Sequence, residues 1–282
     1  MLGQIGINQF NWKFSNSTTP SLTPGTSVVP GASNAEGAWT QVATAANIAK
    51  DVYGVWLWVN AGNTTATAKM HLLDVGVDSA GGTAYLPLVS NLQCGQSAAA
   101  LNGGIFFYLP LFIKAGSAVA VRVQGLQATA GSVRVAATFY GSPSHIELVR
   151  AGRYSETIGT IASSCGTSIT PGSTAAEGAW VSLGTTTRAM WYWLLSIQCN
   201  NGTTTALAYT FDLAYGDATN KHIITQDLQV LLAGTAEQTT IIAPPPFDLY
   251  CHVPAGATIY ARGSCSGTTA TGWTALATGI GG

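Results

Sequence analysis

The pentapeptide AEGAW occurs twice, at Ala35–Trp39 and again at Ala176–Trp180. It sits inside a longer match. GTSVVPGASNAEGAW (Gly25–Trp39) lies over GTSITPGSTAAEGAW (Gly166–Trp180) with ten of fifteen positions identical, at an offset of 166 − 25 = 141. The register then slips by one residue. An offset of 140 carries Gly62 onto Gly202, Gly76 onto Gly216, Ala115-Gly116 onto Ala255-Gly256, Arg122 onto Arg262 and Gly141 onto Gly281. A repeat of this extent dictates the architecture, one unit built twice. What the copies share is mostly Gly, Pro and Thr at turns, the residues that backbone geometry retains.

Each copy divides into eight runs with strand character, separated by Gly, Pro, Asn or Ser. In the first they span 26–29, 38–44, 52–60, 69–78, 84–92, 105–113, 118–124 and 133–140. In the second they span 167–170, 179–183, 189–198, 207–215, 223–231, 240–252, 258–262 and 273–280. AVAVRVQ and SVRVAATFY alternate apolar and polar residues, whereas VYGVWLWV and GIFFYLPLFI suit strands covered on both faces or lying at a subunit contact. No stretch reads as a long amphipathic helix. The expected fold is all-β, two tandem antiparallel β-sandwich (jelly-roll-like) domains from an internal duplication. An immunoglobulin-type sandwich would need a Cys…Trp…Cys core, which the first copy, with Cys94 alone, does not supply. The expected layout is an N-terminal arm (1–22), a first jelly roll (23–141), a linker or strap (142–163) and a second jelly roll (164–282). The linker holds the densest charge, Glu147, Arg150, Arg153 and Glu156.

Only 8% of residues are charged, about a third of the usual share, while 47% are hydrophobic. Such a surface is neutral, and an assembly in which partner subunits cover much of it is expected. Net charge is −1 with no Lys/Arg blocks, so neither nucleic acid nor a membrane surface is an expected partner. The start, MLGQIGINQFNWKF, has no basic and apolar signal pattern, and synthesis in a cytoplasm is expected. Five cysteines without a CxxC pair read as free thiols. A hairpin turn at Pro254-Ala255-Gly256 would set Cys251 opposite Tyr260.

Glu36 and Glu177 are duplicated, as are Arg122 and Arg262. In a chain so poor in charge, each acid and base are expected to meet as an ion pair that fixes strand register. A catalytic reading would need a second acid or a nucleophile at the same place in both copies, and none is legible. Asp74 and Asp78 around Gly76, and Asp212 and Asp217 around Gly216, differ in spacing and read as turn and strand-end aspartates rather than calcium ligands. The four histidines are dispersed, and neither HExxH nor GxSxG occurs. No metal, no cofactor and no enzyme activity are therefore expected. Trp56 and Trp58 share one face of a strand by alternation, and Trp191 and Trp193 share a face of the corresponding strand. They are candidates for core or for an aromatic shelf that contacts a partner or a glycan.

The GTSxxPG…GAW opening, the Gly-, Thr- and Ala-rich strands and the tandem sandwich resemble virion structural proteins of tailed bacteriophages, the jelly-roll proteins that decorate heads or build tail and fibre parts. That resemblance implies a virion location, no enzyme activity, and homo-oligomeric, frequently trimeric, assembly on the major capsid protein or on tail proteins. The expected function is a non-enzymatic structural protein of a phage particle, stabilising the capsid through subunit packing. The alternatives are a tail or fibre component, or a carbohydrate- or receptor-binding module working through the aromatic strands.

Overall fold

The computed structural model describes residues 12–19, 24–60, 70–94, 104–126, 131–141, 151–159, 165–199, 207–232, 246–268 and 272–282. The first half contains β1 (Trp12–Ser15), β2 (Thr26–Val28), β3 (Thr40–Ala43), β4 (Val52–Asn60), β5 (His71–Asp78), β6 (Leu86–Gln93), β7 (Ile105–Leu109), β8 (Ala118–Gly125) and β9 (Val133–Gly141). The second half repeats them as β10 (Tyr154–Ile158), β11 (Thr167–Ile169), β12 (Val181–Thr185), β13 (Met190–Cys199), β14 (Leu207–Gly216), β15 (Lys221–Leu232), β16 (Phe247–Val253), β17 (Thr258–Cys265) and β18 (Trp273–Gly281).

In the first half the sheet β1-β9-β4-β7, with β2 also on β9, faces the sheet β3-β8-β5-β6. In the second, β10-β18-β13-β16, with β11 on β18, faces β12-β17-β14-β15. The chain is thus two tandem antiparallel β-sandwiches. β1 comes from the stretch read as an arm and β10 from the stretch read as a linker, and each flanks the last strand of its half. Glu147 and Arg150 lie outside the described residues. β16 and β17 belong to different sheets, so Pro254-Ala255-Gly256 carries the chain across the sandwich and Cys251 does not face Tyr260.

The ladders also correct the repeat register. Asp74 pairs with Arg122 and Asp212 with Arg262, so these aspartates are equivalent at 212 − 74 = 138. By the same ladders Gly76 corresponds to Ala214, not Gly216. Along β4 and β13, Val55 lies beside Phe139 and Trp193 beside Gly279, again an offset of 193 − 55 = 138. The hairpin and loop lengths between strands had hidden this.

Strand alternation builds the cores. In β9, Val133, Val135, Ala137 and Phe139 point inward and Arg134, Ala136, Thr138 and Tyr140 outward. The first core is largely aliphatic, with Val55, Leu73 and Val133 buried. The equivalent positions of the second are Trp193, Phe211 and Trp273, and the rings of Phe211 and Trp273 meet Tyr209 in a tight aromatic cluster. Two different fillings of one backbone plan keep the interior dense.

The two halves join edge to face. The first sandwich is open along its β6 and β7 edges, and that opening is closed by the outer face of the β10-β18-β13-β16 sheet. Tyr192, Leu194 and Ile280 of that face are continuous with the first core. Ser155 and Thr157 of β10 donate their hydroxyls to the carbonyls of Leu88 (2.6 Å) and Ser90 (2.5 Å) on β6. Gln93 donates to the carbonyl of Cys165. The polar rim of an edge strand is thereby satisfied by side chains instead of a further strand.

Candidate functional site

The Glu, Gly and Trp of AEGAW gather around one arginine in each half. In the first half its Glu36 forms an ion pair with Arg122 Nη1. A Cβ on Gly37 would collide with the carbonyl oxygen of Val29, while the Gly37 N–H donates to Val123 O at 2.9 Å. Trp39 packs its ring against the Arg122 guanidinium, 4.5 Å from ring centroid to Cζ. In the second half Glu177 lies 3.4 Å from Arg262 Nε, Gly178 donates to Gly263 O at 2.8 Å, and the Trp180 centroid lies 4.4 Å from Arg262 Cζ. The pentapeptide is a clamp that lies along β8 or β17 and covers one arginine.

Each arginine also meets an acid that the sequence had hidden. Asp74 Oδ2 accepts from Arg122 Nε and Nη2, both at 2.9 Å, and Asp212 Oδ2 accepts from Arg262 Nε at 2.8 Å. Asp74 and Asp212 are buried mid-strand residues rather than strand-end aspartates. Their second oxygens accept the backbone N–H of Asn91 (2.8 Å) and Asp227 (2.9 Å). Asn91 and Asp227 have φ of 62° and 56°, a left-handed conformation at a β-bulge in the edge strands β6 and β15. Each cluster therefore anchors the kink in an edge strand through an aspartate whose oxygens are both engaged. Asp78 and Asp217 do cap turns, accepting from Ala80 and Ala84, and from Thr219 and Asn220.

Burial raises the Glu36 carboxyl pKa, Asp74 beside it raises it further, and Arg122 opposes both. Glu177 is raised in the same way, by burial first and then by Asp212, against Arg262. In the second half Asp227 replaces Asn91, and one oxygen each from Glu177, Asp212 and Asp227 lie within 4.8 Å of one another around the arginine.

The aromatic candidates separate. Trp56 and Trp58 are half-buried on the outer face of β4, paired across the strand with Tyr108 and Phe106 at centroid distances of 5.6 and 6.4 Å. Phe106 is 49% exposed. Trp193 is fully buried in the second core, whereas Trp191 packs toward the first core. A bulge in the β13–β16 ladder between Met190 and Tyr192 accompanies this break in the expected shared face. Sequence reading missed Asp248, whose carboxylate accepts from the Tyr192 hydroxyl at 2.8 Å where the halves meet. Burial raises the Asp248 pKa and pushes Tyr108 nearby up to about 12.

No family model matches the chain, and no curated protein matches it. Solved structures of similar fold include recombinant peptide:N-glycanase F (PNGase F), at 12% identity over 95% of this chain and 96% of that one, TM-score 0.41. The major capsid protein P2 of bacteriophage PM2 aligns at 8% identity over 96% and 98%, TM-score 0.32. The CBM22-1-CBM22-2 tandem of Paenibacillus barcinonensis Xyn10C aligns at 9% identity over 85% and 82%, TM-score 0.26. The expectation of no enzyme activity does not stand: an N-glycanase, PNGase F, is among the solved proteins that align with this chain, over 95% of its length. The second acid that a catalytic reading had lacked is also present in both copies, as Asp74 and Asp212.

Proposed function

We propose that this protein is a structural subunit of a virus particle, a phage capsid-decorating component that works by adhesion between neutral β-sandwich surfaces. The observation that carries the reading is the edge-to-face joint within the chain. It is built mainly from apolar side chains and hydroxyl-to-carbonyl hydrogen bonds, with the Asp248 carboxylate held by the Tyr192 hydroxyl, and in a chain with 8% charged residues little other charge has to be desolvated when such surfaces meet. Apolar area buried there stabilises by about 25 cal/mol per Å2.

The test is immunogold electron microscopy of phage particles with antibody against the purified chain. Regular label over heads is the expected result; label confined to tails would move the protein to a tail or fibre role, and unlabelled particles would overturn the virion reading.

A second reading rests on the half-exposed pairs Trp56/Tyr108 and Trp58/Phe106, which offer flat rings of the kind that stack on sugars. It predicts saturable glycan binding that Trp58→Ala abolishes, measured by calorimetry; no heat of binding with any cell-surface glycan would exclude it.

A further inference from the structure

Among the described residues, the duplication seals one surface pair and leaves its duplicate partly exposed. In the first half the edge residues Val89, Leu92, Phe107 and Leu109 are all 0% exposed, because the second half closes over them. The ladders make their equivalents Thr225, Leu228, Phe247 and Leu249, and all four are partly exposed. Gln93, 2% exposed at the joint, corresponds to Gln229, which is exposed.

The faces show the reverse contrast. In the second half Leu194, Leu276, Thr278 and Ile280 are at most 1% exposed under the first half. Their equivalents Trp56, Ala136, Thr138 and Tyr140 are half-buried where the counterparts are sealed.

One of the two hydroxyl donors at the joint is duplicated too, while Lys13 stands at the position of the other, Ser155. At the joint Thr157 contacts Thr278 at 3.0 Å and donates to the bulge carbonyl of Ser90. In the first half Ser15 and Thr138 form the corresponding hydroxyl pair at 3.3 Å, with the Ser15 hydroxyl also 3.2 Å from the Ser17 carbonyl oxygen. The carbonyl that corresponds to Ser90 O belongs to Gln226, at the bulge held by Asp212.

We propose that the outer face of the β1-β9-β4-β7 sheet receives the β15/β16 edge of a second copy of this chain, repeating between chains the edge-to-face contact that joins the two halves within one. Ser15 and Thr138 then meet the Gln226 carbonyl, Trp56 and Tyr140 cover Leu228 and Leu249, and the contact is head-to-tail. Each chain presents one such edge and one such face, so the same step repeats until the ring closes or a filament grows. This deepens the assembly reading above and names its partner as the chain itself.

The experiment is light scattering on the full chain and on two variants at exposed or rim positions, Thr138→Arg on the face and Gln226→Arg with Gln229→Arg on the edge. The wild type is expected to assemble, each variant alone to fall to one chain of 29.0 kDa, and an equimolar mixture to form dimers, since each supplies the surface the other lacks. A monomeric wild type, variants that still assemble, or a mixture that stays monomeric would each overturn the proposal. Should Thr138→Arg fail to fold, Ser15→Cys with Gln226→Cys in one chain gives a second reading. Oxidation is expected to produce a covalent ladder on denaturing gels, and its absence from assembled protein overturns the contact. A chain that assembles this way but labels no phage particle would sink the virion reading alone.

Discussion

The two halves have one backbone plan and opposite surroundings. Among the described residues, the first has its edge sealed and its outer face half-buried; the second has its face sealed and its edge partly exposed. The Glu–Arg–Asp cluster is nonetheless built in both, with the same Trp over the same Arg. The feature common to both environments must serve the unit itself, and the bulge it anchors is what each edge presents to whatever lies across from it. The features that differ, aliphatic against aromatic core and aromatic against aliphatic outer face, follow from what each half packs against.

The largest effect that would probe this comparison comes from the shared cluster. Arg122→Met leaves Asp74 buried without its cation, and an unfolding free energy lower by about 3 kcal/mol is expected in urea titration. Arg262→Met should cost a similar amount; an undiminished midpoint for either would show that the cluster does not hold its sandwich. Next come the edges, where the halves should part. Leu92→Ala empties a sealed site and is expected to cost about 2–4 kcal/mol, whereas Leu228→Ala, at the partly open edge, should cost about 1 kcal/mol in dilute protein. Equal losses would mean the two edges are equally covered.

The hydroxyl pairs give a smaller contrast. Thr157→Val removes a donor to the Ser90 carbonyl and should lower stability by about 1 kcal/mol, while Ser15→Ala in the monomeric chain should stay within about 0.5 kcal/mol. Smallest is the pH response. The folded chain holds the Glu36 and Glu177 protons more tightly than the unfolded chain does, so in the interval just above 4.5 the native state binds more protons. Stability should therefore fall as pH rises through that interval and level off above it. Glu36→Gln should remove the first half's share of this slope, and a melting temperature that rises over the same interval would contradict the raised values.

The strands were legible because their signals are local. Alternation in AVAVRVQ and SVRVAATFY, and turn residues repeated at fixed spacing, located β8, β9 and β18 nearly to the residue and the start of β17. The Glu36–Arg122 proximity was legible because charge is scarce and both members recur. Asp74 was not, because a fixed offset of 140 paired Gly76 with Gly216, while the strand register, which depends on where each hairpin closes, moves the true equivalents by two residues. A search for an acid near the equivalent of Asp74 that allowed for short insertions would have found Asp212. Trp191 and Trp193 were misassigned for a related reason: one bulge breaks the period-2 rule, and nothing local in MWYW announces it.

The sequence by itself determined the duplication, the all-β class and the neutral surface, since these follow from composition and short-range periodicity. Only the tertiary structure decided which half has its edge covered, which aromatic rings are core and which are surface, and that each arginine holds two acids. Those outcomes depend on contacts between strands far apart in the chain, where the burial of one surface removes it from reach of every other.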